Sequence, residues 1–162
     1  MSVVDTSRRE SIDLEALAIS SLARLGGFRV ACAESLTSGA IASSLGRAPA
    51  SSEWFSGGVV AYASDVKVDV LGVTPGPVVT EQCAVEMARG ARHVLKADAA
   101  VAVTGVGGPE SNEGQPPGTV MVAVSSTHGD WVGTHRFTGD PAEVVARTTL
   151  HALSRLREVL ER

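Results

Sequence analysis

The chain has 162 residues, of which 44% are hydrophobic, 20% charged and 4% aromatic, and its formal net charge is −4. This balance is typical of one globular domain with a sizeable core. It gives no basic surface for nucleic acid or for an anionic membrane. No apolar run reaches the roughly 18–20 residues of a membrane span, and the first ten residues lack the apolar core of a signal peptide. The sequence therefore predicts a cytoplasmic protein that binds neither nucleic acid nor membrane.

The first half of the chain predicts alternating helices and strands. Residues 1–10 are expected to form a flexible arm, and residues 11–162 a single domain. Apolar residues at three- and four-residue steps predict an amphipathic helix over 11–25, ended by Gly26 and Gly27; they are Leu14, Leu17, Ala18, Leu22 and Leu25. A strand over 28–33, a helix over 38–46, a strand over 57–64 and a short helix over 65–71 follow.

The second half begins with a turn at 74–77, after which Thr80 is expected to cap a helix over 81–95. Residues 97–105 are apolar throughout, as in a strand buried on both faces. A Gly- and Pro-rich loop over 106–117 leads to two strands joined by a hairpin turn at 128–130. A helix from Pro141 to Leu160 ends the chain. Together these elements predict an α/β fold, a three-layer α/β/α sandwich around a mixed, mostly parallel sheet.

Three polar segments follow predicted strands, and they are the candidates for a functional site. They are "AESLTSG" at 33–39, "AYASDVK" at 61–67 and "TGVGGPE" at 104–110. In open α/β sheets ligands bind beyond the carboxyl ends of the strands. We therefore expect the three segments to form one site.

Each of the polar side chains in these segments has two interpretations. Ser35 is either a nucleophile beside free N–H groups that would hold an oxyanion, or a simple helix cap. Lys67 is either a buried general base with a lowered pKa or a solvated surface lysine. Tyr62, the single tyrosine, either packs in the core or takes part in proton transfer.

Several familiar site types are excluded by the sequence. The glycine-rich segment at 104–110 is either an anion-binding loop or a turn, but it lacks the Gly-Lys-Ser/Thr ending of a Walker loop and the helix of a dinucleotide fingerprint. Cys32 and Cys83 show no Cys-x-x-Cys spacing. The four histidines match no metal motif, so no metal is expected; they are His93, His128, His135 and His151.

Four motifs together resemble the CinA C-terminal domain family over residues 14–153. They are "AESLTSG", "GVVAYASDVKVDVLGV", "AVTGVGGPE" and "PPGTV", in this order and spacing. Active members of that family are amidohydrolases that convert nicotinamide mononucleotide to nicotinate mononucleotide and ammonia. The resemblance implies a compact α/β/α homo-oligomer that needs no cofactor or metal and hydrolyses a small nucleotide by a Ser/Lys mechanism.

The resemblance also implies roles for individual residues. Ser35 would attack the carboxamide carbon while Lys67 accepts its proton, directly or through Ser52, the serine that precedes Trp54. Alternatively, Ser52 attacks and Ser35 supports it. Tyr62 would deliver a proton to the leaving ammonia. The substrate would be bound by the two segments that follow the first and third strands, at Glu34, Leu36, Thr37, Ser38, Gly39, Thr104, Gly105, Gly107 and Gly108.

Two departures from the family pattern bear on the substrate. Residues 36–39 read Leu-Thr-Ser-Gly where Cys-Thr-Gly-Gly is common, and Pro141 and Val145 stand where arginines are common. An arginine there would pair with the substrate phosphate, and Arg136 and Arg147 are the candidates to replace it. The alternatives are a Ser/Lys hydrolase of another amide and a non-catalytic ligand-binding protein.

Overall fold

The computed structural model describes residues 3–162, with side-chain surroundings given from residue 5 onward. Within this range the chain forms six helices and five strands. Their bounds are α1 Val3–Gly26, β1 Val30–Glu34, α2 Ala40–Arg47, α3 Ser51–Trp54, β2 Phe55–Val60, α4 Ser64–Leu71, α5 Glu81–Val94, β3 Ala99–Gly105, β4 Thr119–Ser126, β5 Gly129–Arg136 and α6 Pro141–Leu160. None of these helices is both long enough and apolar enough to cross a membrane.

The strands of the described chain form one sheet in the order β2-β1-β3-β4-β5. β1 pairs in parallel with β2 and with β3. β4 pairs antiparallel with both β3 and β5. All strands except β4 therefore run in one direction, which confirms the predicted mixed and mostly parallel sheet.

Side chains of different size cover the two faces of the sheet. In β3, Val101 and Val103 point into a core cluster with residues of α1, α2, α3 and α6. Ala100 and Ala102 point into a second cluster with residues of α4 and α5. Successive strand residues alternate between faces, so one apolar strand supplies both cores. Helices on both sides confirm the three-layer sandwich.

The first helix begins at Val3, so the prediction of a flexible arm is wrong for residues 3–10; residues 1 and 2 lie outside the described residues. No glycine or proline interrupts this stretch, and an i,i+4 pair between Asp5 and Arg9, with 3.8 Å between Oδ2 and Nε, supports the added turns. Burial at Ile12 joins them to the core. The charged residues of this stretch form the solvated side of the helix.

The buried face of α1 also differs from the leucine pattern in the sequence. Ile19 and Ala23 are fully buried, whereas Leu14 and Leu25 are 64% and 88% exposed. The helix therefore packs through its β-branched and small residues, and leucines that share its apolar periodicity face outward.

Other boundaries follow local chemistry that the sequence shows. Thr80 caps α5, because its hydroxyl accepts a hydrogen bond from the Cys83 N–H at 3.1 Å. Asp140 and Glu143 form a reciprocal capping box at the start of α6. The single turn α3 was not predicted, and β2 is displaced from the predicted 57–64 to Phe55–Val60.

Close packing between α4 and α5 depends on Gly90. A Cβ atom at this position would lie 2.1 Å from the backbone oxygen of Leu71, which no side-chain rotation relieves. We expect Gly90→Ala to lower the free energy of unfolding by about 2 kcal/mol or more, since overpacking against backbone forces α5 away from α4. Urea unfolding monitored by circular dichroism measures the change.

Gly46 provides the matched control, because it is also helical and its added Cβ would meet only Phe55 Cε1 at 3.9 Å. Gly46→Ala should leave stability unchanged or raise it by up to about 1 kcal/mol. Equal effects of the two variants would show that the contact at Leu71 does not limit the packing.

Candidate active site

The carboxyl ends of β1, β2 and β3 meet at one edge of the sheet, where they border a cavity of about 750 Å³. The loop after β1 supplies Ser35 and Leu36, and the segment after β2 supplies Tyr62 and Lys67. The loop after β3 supplies Thr104 and the residues that follow it. The three polar segments therefore form one site, as expected from the parallel strands.

Glu34 fixes the start of this site, since its carboxylate is fully buried between β1 and α2. One oxygen accepts the Ile41 N–H at 2.9 Å and the Thr37 hydroxyl at 2.7 Å, and the other accepts the Ala42 N–H at 2.9 Å. These N–H groups belong to the first turn of α2, which lacks a capping side chain of its own. The carboxylate therefore ties the end of β1 to α2 and holds Ser35 between them.

Lys67 and Ser35 are in direct contact at the buried end of the cavity. Lys67 Nζ lies 3.1 Å from Ser35 Oγ, and the two residues are 1% and 9% exposed. Nζ also donates to the carbonyl oxygens of Ala61 at 2.7 Å and Tyr62 at 3.1 Å. Lys67 therefore sits at hydrogen-bonding distance from a hydroxyl, in a place shielded from water.

Burial lowers the pKa of Lys67 below its ordinary value, while the nearby Cys83 and Glu113 act in the opposite direction. A neutral amine carries two hydrogens and one lone pair. The two hydrogens suit the carbonyl oxygens of Ala61 and Tyr62, and the lone pair then faces the Ser35 hydroxyl. This geometry matches a general base next to its nucleophile.

Backbone N–H groups beside Ser35 complete the arrangement. The Ser38 N–H donates to the Ser35 carbonyl at 3.1 Å, which curls the loop back on itself. The N–H groups of Leu36 and Thr37 have no hydrogen-bond acceptor within residues 5–162. An N–H directly after the nucleophile is the usual donor to an oxyanion in serine hydrolases.

Thr104 and Glu113 hold the segment at Val78 and Val79, which forms another part of the cavity lining. The Thr104 hydroxyl donates to the Val78 carbonyl at 2.8 Å. The Glu113 carboxylate accepts the N–H groups of Val78 at 3.0 Å and Val79 at 2.8 Å. Glu113 was not predicted, because its partners lie 34 and 35 residues away and no local pattern marks the contact.

Cys83 is a second buried group near Lys67, and its thiol is expected to be unreactive. Burial raises the pKa of its thiol to about 11, although the nearby Lys67 opposes the shift. Since the thiolate is the nucleophilic form, a thiol with this pKa is inert near neutral pH. Ser35 is therefore the nucleophile that the geometry favours.

The predicted binding residues divide into two groups. The cavity is lined by Leu36 and by the predicted residues of the third segment, Thr104, Gly105, Gly107 and Gly108. Glu34, Thr37, Ser38 and Gly39 are absent from this lining, and their part in substrate binding stays a prediction. Glu34 and Thr37 are occupied with each other and with α2, while the left-handed backbone at Ser38 (φ 52°) and Gly39 (φ 105°) turns the chain into that helix.

The predicted role of Ser52 is wrong. Ser52 lies on α3, before β2, whereas Ser35 follows β1. β1 and β2 are parallel, with Val30 opposite Phe55 and Glu34 opposite Val60, so the two serines stand at opposite edges of the sheet. Ser52 therefore cannot relay a proton between Ser35 and Lys67, nor attack in place of Ser35.

The first turn of α6 forms a further wall of the cavity, to which Pro141 and Val145 contribute. The arginine candidates Arg136 and Arg147 do not line it. Of the described residues around this space, Lys67 is the one cation, and Glu110 adds a carboxylate. The cavity therefore offers no arginine to a substrate phosphate.

No group of three or more metal-ligating side chains occurs within the described residues. His135 and His151 lie elsewhere, between β5 and α6, with 2.9 Å between their Nε2 atoms. Burial lowers the pKa of both histidines, that of His151 to about 4 with help from the charges of His135 and Arg155. They pack as a neutral pair against Phe137.

Comparison with known proteins identifies the family. The family model of the CinA C-terminal domain matches residues 13–160. This chain belongs to the CinA C-terminal domain family. A "CinA-like protein" of Fervidobacterium nodosum is 38% identical over 136 residues, which is 80% of this chain and 33% of that protein. Another from Mycolicibacterium paratuberculosis is 40% identical over 147 residues, with 84% and 34% covered.

This CinA-family chain spans about one third of the length of those curated relatives. Solved structures match it over nearly their whole length. A CinA superfamily protein from Klebsiella pneumoniae superimposes with a TM-score of 0.88 at 31% identity, covering 93% of this chain and 98% of that one. One from Enterobacter cloacae gives 0.89 at 28% identity, with 92% of each chain covered. The fold described above is therefore the α/β fold of this superfamily.

The role of Glu34 as an internal cap can be tested by Glu34→Gln. The amide keeps the shape of the carboxylate, but its NH₂ group would face an N–H donor of α2. We expect the free energy of unfolding to fall by about 1–3 kcal/mol, because a buried N–H loses its acceptor and the helix start loses a negative charge. Urea unfolding would measure the loss.

Glu53→Gln is the control, since Glu53 is exposed and makes a surface ion pair with Arg24 at 3.2 Å. Removing such a pair should change stability by about 0.5 kcal/mol or less. If Glu34→Gln were as mild as this control, the carboxylate would not be the group that joins β1 to α2.

Proposed function

We propose that this CinA-family chain is a metal-independent Ser/Lys amidohydrolase that converts nicotinamide mononucleotide to nicotinate mononucleotide and ammonia. The observation that supports the proposal is the 3.1 Å contact between Lys67 Nζ and Ser35 Oγ in a buried, cavity-facing position. A hydroxyl, a desolvated amine and unpaired N–H groups are the parts that amide hydrolysis requires.

In the first half of the reaction Ser35 Oγ attacks the carboxamide carbon, and neutral Lys67 takes the hydroxyl proton. The carbonyl oxygen becomes an oxyanion that accepts hydrogen bonds from the N–H groups of Leu36 and Thr37. The C–N bond then breaks, and the nitrogen leaves as ammonia with the proton that Lys67 took from Ser35, so that Lys67 is neutral again. Ser35 is left as an ester of the nicotinate carboxyl group.

In the second half a water molecule attacks the ester carbon while Lys67 accepts a proton from the water. The bond from the carbon to Ser35 Oγ breaks, and the proton returns from Lys67 to the serine. The carboxylate product leaves with both groups restored. One lysine therefore serves as base and then as acid in each half of the reaction.

Tyr62 would assist the first half through its hydroxyl, which we propose relays the proton from Lys67 to the leaving ammonia, accepting one proton as it gives up its own. The side chain lines the cavity and is 68% exposed, so it stands at the mouth, where the product departs. The backbone carbonyl oxygen of Tyr62 separately accepts a hydrogen bond from Lys67 Nζ at 3.1 Å. The main-chain and side-chain roles of Tyr62 are therefore separable.

A second candidate is hydrolysis of an uncharged carboxamide such as nicotinamide riboside. The observation in its favour is the composition of the cavity, where Pro141 and Val145 face the space and no described arginine does. The Ser35–Lys67 chemistry would be the same, and the two candidates differ only in what binds the far end of the substrate.

A purely ligand-binding role fits the site less well. Burying an amine costs free energy, and an apolar side chain at position 67 would pack at lower cost. A buried lysine at this position therefore favours a chemical role. Lys67 is fully enclosed and points at a hydroxyl rather than at solvent.

The decisive experiment is ammonia release from nicotinamide mononucleotide by the purified protein and two serine variants. Ser35→Ala should lower kcat by at least about 10³-fold, because it removes the attacking oxygen. Ser52→Ala should retain full activity, since Ser52 is exposed and lies at the opposite edge of the sheet. Loss of activity in Ser52→Ala with Ser35→Ala active would reverse the assignment.

The protonation state of Lys67 predicts the pH dependence of the reaction. Protonated Lys67 cannot accept a proton, so kcat/KM should rise with pH and level off above a pKa that burial places below 10.5. Lys67→Arg keeps the charge but cannot act as a base, so it should lose about 10²–10⁴-fold in rate and show no such rise.

The control variant is Lys96→Arg, at the exposed second lysine of the chain. It should keep both the rate and the pH profile. The measurement is kcat/KM of the unaltered protein and of both lysine variants between about pH 5 and pH 10. A flat profile in the unaltered protein, or the same rise in Lys67→Arg, would assign the base to another group.

A further inference from the structure

A second cavity adjoins the catalytic one and is rich in arginine. It has a volume of about 690 Å³ and lies between α1, α2 and the first half of α6. Ala142 and Val145 line both cavities, so one face of α6 separates the two spaces. We call this second cavity the α1/α6 groove.

The α1/α6 groove carries the cations that the catalytic cavity lacks. Arg8 and Arg9 enter it from α1, and Arg47 enters from α2. Asp5 and Asp13 are the acids in its lining, so the described groups sum to one net positive charge. Ser43 and Ser44 of α2 also line the groove, where the Ser43 hydroxyl accepts a hydrogen bond from Arg47 at 2.8 Å and the Ser44 hydroxyl donates to the Ala40 carbonyl.

The ion pairs that the arginines of the groove make are long and exposed to solvent. Arg9 lies 3.8 Å from Asp5, and Arg47 lies 3.4 Å from Asp13, with all four side chains at least 44% exposed. Arg8 forms no ion pair with a described residue. Exposed pairs of this kind contribute little to stability. A doubly charged anion could therefore take over the guanidinium groups without breaking a strong interaction.

The catalytic cavity gives an anion no comparable partner. Lys67 is committed to Ser35 and to two carbonyl oxygens, and Glu110 would repel a negative group. A substrate with its carboxamide at Ser35 and a phosphate at its other end gains most if that phosphate lies beyond the shared wall. Arginine is the side chain best suited to bind it, through paired N–H donors.

We propose that the α1/α6 groove is the phosphate subsite of the enzyme, where Arg8, Arg9 and Arg47 bind the phosphate monoester of the substrate. This inference rests on the proposed function for the position of the carboxamide. The substrate passes over Ala142 and Val145, and its two ends are held by different parts of the protein. The amide is hydrolysed at the edge of the sheet, and the phosphate is bound by arginines of α1 and α2.

The first test compares nicotinamide mononucleotide with nicotinamide riboside, which lacks the phosphate. The measured quantity is the ratio of their kcat/KM values, because general damage to the site cancels in it. In the double variant Arg8→Gln/Arg47→Gln this ratio should fall at least about tenfold, as expected for lost hydrogen bonds to a charged group. Arg24→Gln, on the distal part of α1 and paired with Glu53, is the control that should preserve the ratio.

Asp13→Asn gives an effect of opposite sign. Removing this acid frees Arg47 and raises the positive charge of the groove, so the ratio should increase about two- to fivefold. A destabilised variant would not produce such a gain. An unchanged ratio in the double variant, or a lower ratio in Asp13→Asn, would overturn the inference.

The second test separates the subsite from the proposed reaction. Calorimetry on the Ser35→Ala protein measures the Kd of nicotinamide mononucleotide with and without the Arg8→Gln/Arg47→Gln pair. Weaker binding by at least about tenfold supports the phosphate subsite even if no amide is hydrolysed. Equal Kd values overturn it even if the unaltered protein releases ammonia.

Discussion

A buried carboxylate between β1 and α2 is the interaction on which the arrangement of the site depends. Glu34 accepts two N–H groups and one hydroxyl, and thereby substitutes for the capping side chain that α2 lacks. Glu34 ends the strand and its hydrogen-bond partners begin the helix. The loop between them therefore has few possible conformations. Ser35 is held in that loop, at the edge of the sheet, with its hydroxyl facing Lys67. An acid outside the cavity lining thus determines where the Ser35 hydroxyl lies.

The two cavities beside α6 offer different physical environments. The cavity at the sheet edge encloses Lys67, where burial lowers the pKa of the amine and strengthens each hydrogen bond. The α1/α6 groove is instead lined by three guanidinium groups, those of Arg8, Arg9 and Arg47. Placing arginines beside Lys67 would have lowered its pKa further and crowded the serine. Separation by the first turn of α6 lets both environments exist in a small protein.

Much of the fold could be predicted from the sequence because its signals are local. The apolar run of β3, the Thr80 cap and the Pro141 start of α6 are signals that each act within a few residues. Convergence of three loops followed from the parallel strands, but the edge at which Ser52 lies depends on whether it precedes or follows its strand. The contact of Glu113 with Val78 spans 35 residues, so only the folded chain shows it.

The positioning of Lys67 by main-chain atoms has a consequence for how this family can diversify. Its two carbonyl partners belong to Ala61 and Tyr62, yet any residue supplies a carbonyl oxygen at those positions. The side chain at the mouth can therefore be exchanged without disturbing the amine beneath it. Position 62 can therefore vary among relatives while the main chain keeps Lys67 in the same place.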